Sequence, residues 1–261
     1  MRLNSVYAGS ISSDEISLLN CLARENLAHI INAMSHQTFD LNRSITKKQT
    51  VALTGLLMIG FVLVHLFGNL FIYGGAEAYN GWADKLQSLG IFVRIFEFTL
   101  LLIVLVHFER ATVLVVQNIR AAGGLKRYAV ENSRGPRSLT TRLMPYSGTY
   151  LLGYLVWHII DFTLASKAGN NALTLINGQP AGLYGLVVNS FKQPLHAYLY
   201  VIAMYALALH LAHGVQSCIQ TFGVKEGKLQ AVMIKVSNWF AFIIATAYAS
   251  IPLYVLYLLK V

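Results

Sequence analysis

Four histidines, His65, His107, His158 and His210, stand inside apolar runs that read FVLVHLFGNLFIY, VLVHFER, LVWHIID and LALHLAHG. An imidazole in such surroundings offers one N–H and one lone pair, so it can relay a proton, bind a transition metal or hydrogen-bond a neighbouring helix. A single histidine in a membrane helix is commonly the last of these. Four, each on a different apolar segment, have the numbers for a further role: two irons, each held from both faces of a porphyrin by a pair of imidazoles.

Such chemistry needs a scaffold, and the composition indicates which. The chain of 261 residues is 56% hydrophobic and 12% charged, with a mean hydropathy of +0.55. That balance describes a polytopic membrane protein and excludes an ordinary soluble domain. Five apolar segments have spanning length, at about 48–73, 91–118, 143–165, 194–219 and 232–259, against the ~20 residues that a bilayer core of roughly 30 Å demands. Backbone in lipid must satisfy its own hydrogen bonds, so the expected fold class is an all-α integral membrane protein of five transmembrane helices. The first four would form the bundle around the histidines. Residues 1–45 are expected as an N-terminal cytoplasmic extension with a short amphipathic helix, since Ile16, Leu19, Leu22 and Ala23 recur at helical spacing; residues 46–261 form the membrane domain. The start of the chain lacks the features of a cleaved secretory signal, so the first span is expected to be retained. Cys21 and Cys218 are too few and too far apart for a disulfide framework, a zinc site or covalent haem attachment.

Basic residues orient the spans. Arg43, Lys47 and Lys48 precede the first, and Arg120, Lys126, Arg127, Arg134, Arg137 and Arg142 crowd the second connection, whereas the first and third offer mainly Lys85, Lys167 and Lys192. The positive-inside rule then puts the N-terminus in the cytoplasm and the C-terminus outside. The net charge of +9 follows largely from this topology, and no nucleic-acid recognition module accompanies it.

Alternating directions assign depths. His65 and His158 fall in the outer half of outward-running spans, and His107 and His210 fall past the middle of inward-running ones. An outer pair, His65 with His158, and an inner pair, His107 with His210, follow. Gly55 precedes His65 and Gly148 precedes His158 by the same ten residues, roughly 15 Å toward the cytoplasm, where a missing side chain leaves room for the edge of an inner haem. His213 lies three residues after His210 and shares its depth, so spacing alone does not choose between them.

Taken in order, TGLLMIGFVLVHLFGNL, GGAEAYN, VLVHF, SLTTRLMPYSG with its later WH, and HLAHGVQS followed by QTFG make residues 46–259 resemble a known family. It is the single-chain, five-helix, di-haem cytochrome b membrane subunit of succinate:quinone oxidoreductases, the succinate dehydrogenases and fumarate reductases. The resemblance implies ligands paired first span with third and second with fourth, and its His-x-x-x-Gly pattern fits His210, with Gly214 and then Phe222-Gly223 beyond. His213 becomes a neighbour to a haem propionate or a packed polar group. Arg110, one turn inward from His107, is a candidate propionate partner beside Glu109; Arg142, Ser138 and Tyr146 are weaker ones.

The same resemblance implies two b haems and a flavoprotein and an iron–sulfur subunit docked on the cytoplasmic face of a bacterial inner membrane. The chain would be a membrane anchor with no dicarboxylate site of its own, passing electrons to or from a quinone, with menaquinone expected. An acidic residue near the outer haem would exchange protons with the quinone, which makes Glu77, Asp84 and Asp161 candidates, with His196, Asn69, Trp82 and Gln193 as polar or stacking contacts. Competing classes are a haem-free histidine-relay transporter, an anchor that has lost its haem, and a cytochrome b subunit of another respiratory oxidoreductase. The first would typically show broken helices or inverted repeats, and no such repeat is evident in the sequence. The third commonly draws two ligands from one helix.

Overall fold

The structure, a computed structural model, describes residues 44–121, 139–167, 169, 175–176, 178–223 and 227–259. Contacts divide the chain into Met1–Thr46 and Lys47–Val261; apart from the first residues of the first helix, the elements that follow belong to the second unit. The amphipathic helix expected before residue 44, the basic residues Arg43, Lys126, Arg127, Arg134 and Arg137, and Ser138 lie outside the described residues.

Helix α1 runs Ser44–Leu70, tightens into a 3₁₀ turn at Phe71–Gly74, and is followed by α2, Gly75–Gln87. Helix α3 spans Ile91–Ala121 and α4 spans Leu139–His158. Directly after His158 the backbone widens into a π-helical stretch, Ile159–Leu164, before a last α-turn at Ala165–Lys167. A short antiparallel hairpin, β1 (Leu175–Ile176) with β2 (Gln179–Pro180), leads into α5, Gly182–Phe191. Helices α6, Pro194–Thr221, and α7, Gly227–Leu253, complete the bundle, and α7 ends in a second π-helical stretch, Tyr254–Leu258. Among the described residues four helical segments are long and apolar enough to cross a membrane: Ile45–Gln87, Ile91–Ala121, Pro194–Thr221 and Lys228–Leu258. The expected third span, 143–165, is also helical, but with Tyr146, Tyr150, Tyr154, His158 and Asp161 along it the segment is less apolar and does not join those four.

Packing is uneven along the bundle. The two helices α6 and α7 approach closely because Ala203, Ala245 and Ala249 present small side chains to each other around Met204, the arrangement that lets apolar helices gain dispersion energy when water exclusion cannot drive them together. Leu66, Leu211, Ala212, Ala241 and Ile244 bring α1 onto the same seam. Neighbouring helices are also tied by polar groups: Tyr248 donates to the Val62 carbonyl at 2.6 Å, and Cys218 Sγ to the Ala52 carbonyl at 3.3 Å. Helix α3 differs, for it buries no residue at all.

Sequence reasoning treats residues 166–193 as a connecting loop, yet α5 is among the best-buried elements. Tyr184, Val187, Val188 and Phe191 join Ile72, Tyr79, Tyr200 and Val255 in one cluster at the end of the bundle where α1 finishes and α6 begins. Asn80 of α2 explains how α5 is started there. Its Nδ2 donates to the Ala181 carbonyl at 3.0 Å, and its Oδ1 accepts from the Tyr184 amide at 2.9 Å. An N-terminal amide of α5 is thereby satisfied by a side chain from another helix instead of by its own cap residue. Gly182 is required at the contact, since its φ is +60° and a Cβ there would stand 2.9 Å from Asn80 Nδ2. Replacing Asn80 by Ala removes both bonds and leaves the Tyr184 amide unsatisfied at a cost of about 1–3 kcal/mol, while the Ala181 carbonyl keeps the Gly185 amide. The purified protein in detergent should therefore melt at lower temperature than wild type; an unchanged melting curve would show that α5 is held by its apolar face alone.

Candidate functional site

The histidines occupy two levels of the bundle. At one level His107 of α3 and His210 of α6 lie within electrostatic reach of each other, and each ring rests against a glycine on a different helix. A Cβ built on Gly55 of α1 would stand 3.3 Å from His107 Cε1, and one on Gly148 of α4 would stand 3.2 Å from His210 Cε1. The residue before each glycine bears a hydroxyl that reaches the ring: Thr54 Oγ1 is 3.0 Å from His107 Nδ1, and Ser147 Oγ is 3.3 Å from His210 Nδ1. The space expected to admit a macrocycle edge beside Gly55 and Gly148 is thus in contact with the imidazoles themselves.

At the other level His65 of α1 and His158 of α4 face each other directly, with ring centroids 5.8 Å apart and ring planes at 85°. Aromatic neighbours hold both rings: Phe61 stacks on His65 at 5.2 Å and Tyr154 on His158 at 5.9 Å. The Nδ1 of His158 is buried with no hydrogen-bond partner.

The two halves of this arrangement repeat each other. TGLLMIGFVLVH of α1 and SGTYLLGYLVWH of α4 match at one constant offset: a hydroxyl residue and glycine (Thr54-Gly55, Ser147-Gly148), a second glycine (Gly60, Gly153), an aromatic residue (Phe61, Tyr154) and the histidine. The helices run the same way, so this is a parallel repeat and not the inverted kind sought in the sequence. A comparison of the chain with itself would have found it.

Beyond His158, the π-helical stretch carries Asp161 into a polar cluster. Tyr200 OH donates to Asp161 Oδ2 at 2.8 Å, His196 Nε2 lies 3.1 Å from the same oxygen, and Ser190 Oγ is 3.0 Å from His196 Nε2. The His196 ring stacks on Tyr200 with centroids 4.9 Å apart, and Tyr200 lies 6.0 Å from His158. Two of the expected quinone-site residues, Asp161 and His196, are thus brought together beside a histidine of the His65–His158 level. The other two acids, Glu77 and Asp84, are exposed on α2 and stand outside this cluster. Tyr200 and Ser190 escape sequence reasoning because a tyrosine and a serine at helix ends carry no pattern of their own.

Other expected residues sit as follows. Arg110 Nε pairs with Glu109 Oε2 at 3.0 Å. His213 is half-buried one turn from His210 and near it electrostatically, but Ser147 and Gly148 contact His210. Trp82 packs flat on Phe71 with centroids 5.1 Å apart and fills the space beside Gly68. Asn69 donates to the His65 carbonyl at 2.8 Å and accepts from Tyr79 OH at 3.2 Å.

These residues fit a porphyrin held between paired imidazoles. Two imidazoles sharing one metal stand about 6 Å apart centre to centre, from metal–nitrogen lengths of about 2.0–2.1 Å and about 1 Å more to each ring centre; the 5.8 Å of His65 and His158 agrees. Among the described residues no three His, Cys, Asp or Glu side chains converge as a bare ion would need. A cleft of about 290 Å³ between α1 and α3, lined by Leu57, Gly60, Phe61, Val64, Phe96 and Ile103, supplies apolar space along the same helices.

Fold and site together define an integral membrane helical bundle built around paired histidines. A model of the family described as "Succinate dehydrogenase/Fumarate reductase transmembrane subunit" matches residues 137–250. The chain is 23% identical over 184 residues to the succinate dehydrogenase cytochrome b558 subunit of Bacillus subtilis (strain 168), covering 70% of this chain and 82% of that relative. No solved structure gives a significant match. The chain is thus similar to membrane subunits of the succinate dehydrogenase/fumarate reductase family and to a cytochrome b subunit among them.

Proposed function

We propose that this chain anchors a flavoprotein and an iron–sulfur subunit to a bacterial inner membrane and passes electrons between the iron–sulfur subunit and a membrane quinone, menaquinone first among the candidates, through two b haems. All five helical segments span the bilayer in this reading, with the N-terminus in the cytoplasm. His107 and His210 hold the inner haem, and His65 and His158 the outer. The observation that carries it is the meeting of His65 and His158, 5.8 Å apart, with His107 and His210 seated against Gly55 and Gly148 of the same two helices.

The haems supply one-electron steps between the two faces of the membrane. The chain's own residues do the rest. Phe61 and Tyr154 stack on the outer imidazoles, while Gly55 and Gly148 leave room for the inner ones to approach their helices. Quinone reduction takes two electrons and two protons, and Asp161 with His196 is placed to handle the protons: Oδ2 receives or releases one, with Tyr200 holding the carboxylate and Ser190 the imidazole. Arg110 and His213 are kept as candidate propionate partners at the inner level.

A pyridine haemochrome assay on the purified complex tests the reading. Two b-type haems per copy of this chain are expected. A well-folded complex with none would return the histidines to a proton relay and the chain to the transporter class.

A further inference from the structure

We propose that Thr54 and Ser147 are positioning residues for the inner haem, each accepting a hydrogen bond from the Nδ1–H of one inner ligand and so presenting its Nε2 to the iron. The inference rests on the two-haem reading above, but concerns residues which that reading does not use.

The argument begins with a proton count. A hydroxyl has one hydrogen to donate. Thr54 Oγ1 lies 2.7 Å from the Thr50 carbonyl and 3.2 Å from that of Val51, and a carbonyl oxygen can only accept. The Thr54 hydrogen is therefore committed to its own helix, and toward His107 Nδ1, at 3.0 Å, the oxygen acts as acceptor, beside the Val51 carbonyl, which also accepts from the His107 ring. The proton in that contact belongs to the imidazole. Ser147 repeats the logic, with its hydrogen on the Met144 carbonyl at 3.1 Å and its oxygen 3.3 Å from His210 Nδ1. Both rings are then Nδ1–H tautomers whose lone pair is on Nε2, the atom free to coordinate.

Burial makes the two hydroxyls hard to replace. Thr54 is 8% and Ser147 7% exposed, so water does not readily take over as acceptor. Gly55 and Gly148 make the contact possible, because a Cβ at either would push at Cε1 of the ring that the preceding hydroxyl holds. The hydroxyl–glycine unit thus occurs twice, on α1 and α4, and each time it seats an inner histidine. The outer level is built otherwise, since His158 Nδ1 has no such acceptor.

A hydrogen bond accepted from the non-ligating N–H fixes ring orientation and raises the basicity of the ligating nitrogen, an effect worth about 10–100-fold in metal affinity. A more basic ligand favours ferric over ferrous iron. Removing the acceptor should therefore raise the midpoint potential of the inner haem: a tenfold change in the ferric-to-ferrous affinity ratio corresponds to about 59 mV for a one-electron couple.

The test is a redox titration of both haems by absorbance in the purified complex. Its variants are Thr54→Val, which keeps the shape and loses the oxygen, Ser147→Ala, and Thr54→Ser as the conservative replacement; the inner wave is identified as the one missing in His107→Ala. Thr54→Val and Ser147→Ala should each raise the inner midpoint and leave the outer in place, and Thr54→Ser should restore it. Loss of the inner haem from Thr54→Val but not from Thr54→Ser would also support the assignment. An unmoved inner midpoint, equal movement of both, or failure of Thr54→Ser to differ from Thr54→Val would overturn it, leaving the hydroxyls as back-bonded helix residues. A wild-type complex lacking a second haem would sink the two-haem reading, and this inference with it; two haems with an unmoved inner midpoint would sink this inference alone.

Discussion

His107→Ala and His210→Ala should each remove the same one of two haems, and His65→Ala and His158→Ala should each remove the other. The expected loss is close to complete, because an imidazole truncated to a methyl group leaves the iron one axial ligand short. His213 is the nearest substitute at the inner level, yet it sits three residues from His210, so its direction differs by roughly 60° around the helix. The ring in contact with Ser147 and Gly148 is that of His210. His213→Ala should accordingly keep both haems. Low-temperature absorption spectra of the five alanine variants separate the two bands. Loss of one band in His213→Ala with both retained in His210→Ala would transfer the ligand role, and a mixed pattern, with His65 and His107 affecting one haem, would break the pairing.

Much of this was legible in the sequence because the membrane imposes a coarse rule on it. Long apolar runs had to be helices, so the expected segment 194–219 and the observed Pro194–Thr221 nearly coincide, as do 91–118 and Ile91–Ala121. The histidines were visible for a related reason: an ionisable residue costs enough in lipid that its presence marks a purpose. What stayed hidden depended on local backbone geometry. The π-helical stretch after His158 turns Asp161 toward Tyr200 and His196, and no hydrophobic period announces an extra residue in one helical turn. Helix α5 was hidden because it is short and its N-terminus is satisfied by Asn80, about a hundred positions earlier in the chain. Thr54 and Ser147 read as ordinary polar residues near helix starts; only the matching glycine and histidine further along each helix give them meaning.

The geometry also separates the two levels by their surroundings. His107 and His210 touch hydroxyls and glycine positions, whereas His65 and His158 touch aromatic rings. A polar acceptor on a ligand and an apolar stack on a ligand act on an iron in different ways, the first through basicity and the second through dielectric. In the proposed two-haem reading one parallel repeat of sequence would serve haems in two different surroundings, since each copy lends one kind of contact to each level.

Asp161→Asn should lower quinol turnover by at least about 100-fold, the lower end of what positioned proton transfer contributes, with both haem bands unchanged. Asparagine keeps the oxygen that accepts from Tyr200 and nearly the same volume, so the fold of the π-helical stretch is preserved while the proton-carrying carboxylate is lost. His196→Gln should follow in the same direction by a smaller factor, because its Nε2 contacts Asp161 and Ser190 and hands a proton on instead of receiving it first. Dye-linked dicarboxylate turnover, which bypasses the membrane subunit, should match wild type in both variants. The exposed acids of α2 provide the comparison: if Glu77→Gln or Asp84→Asn abolishes quinol turnover while Asp161→Asn does not, the proton route enters beside α2, and the cluster of Asp161, His196 and Tyr200 is a structural tie between α4 and α6.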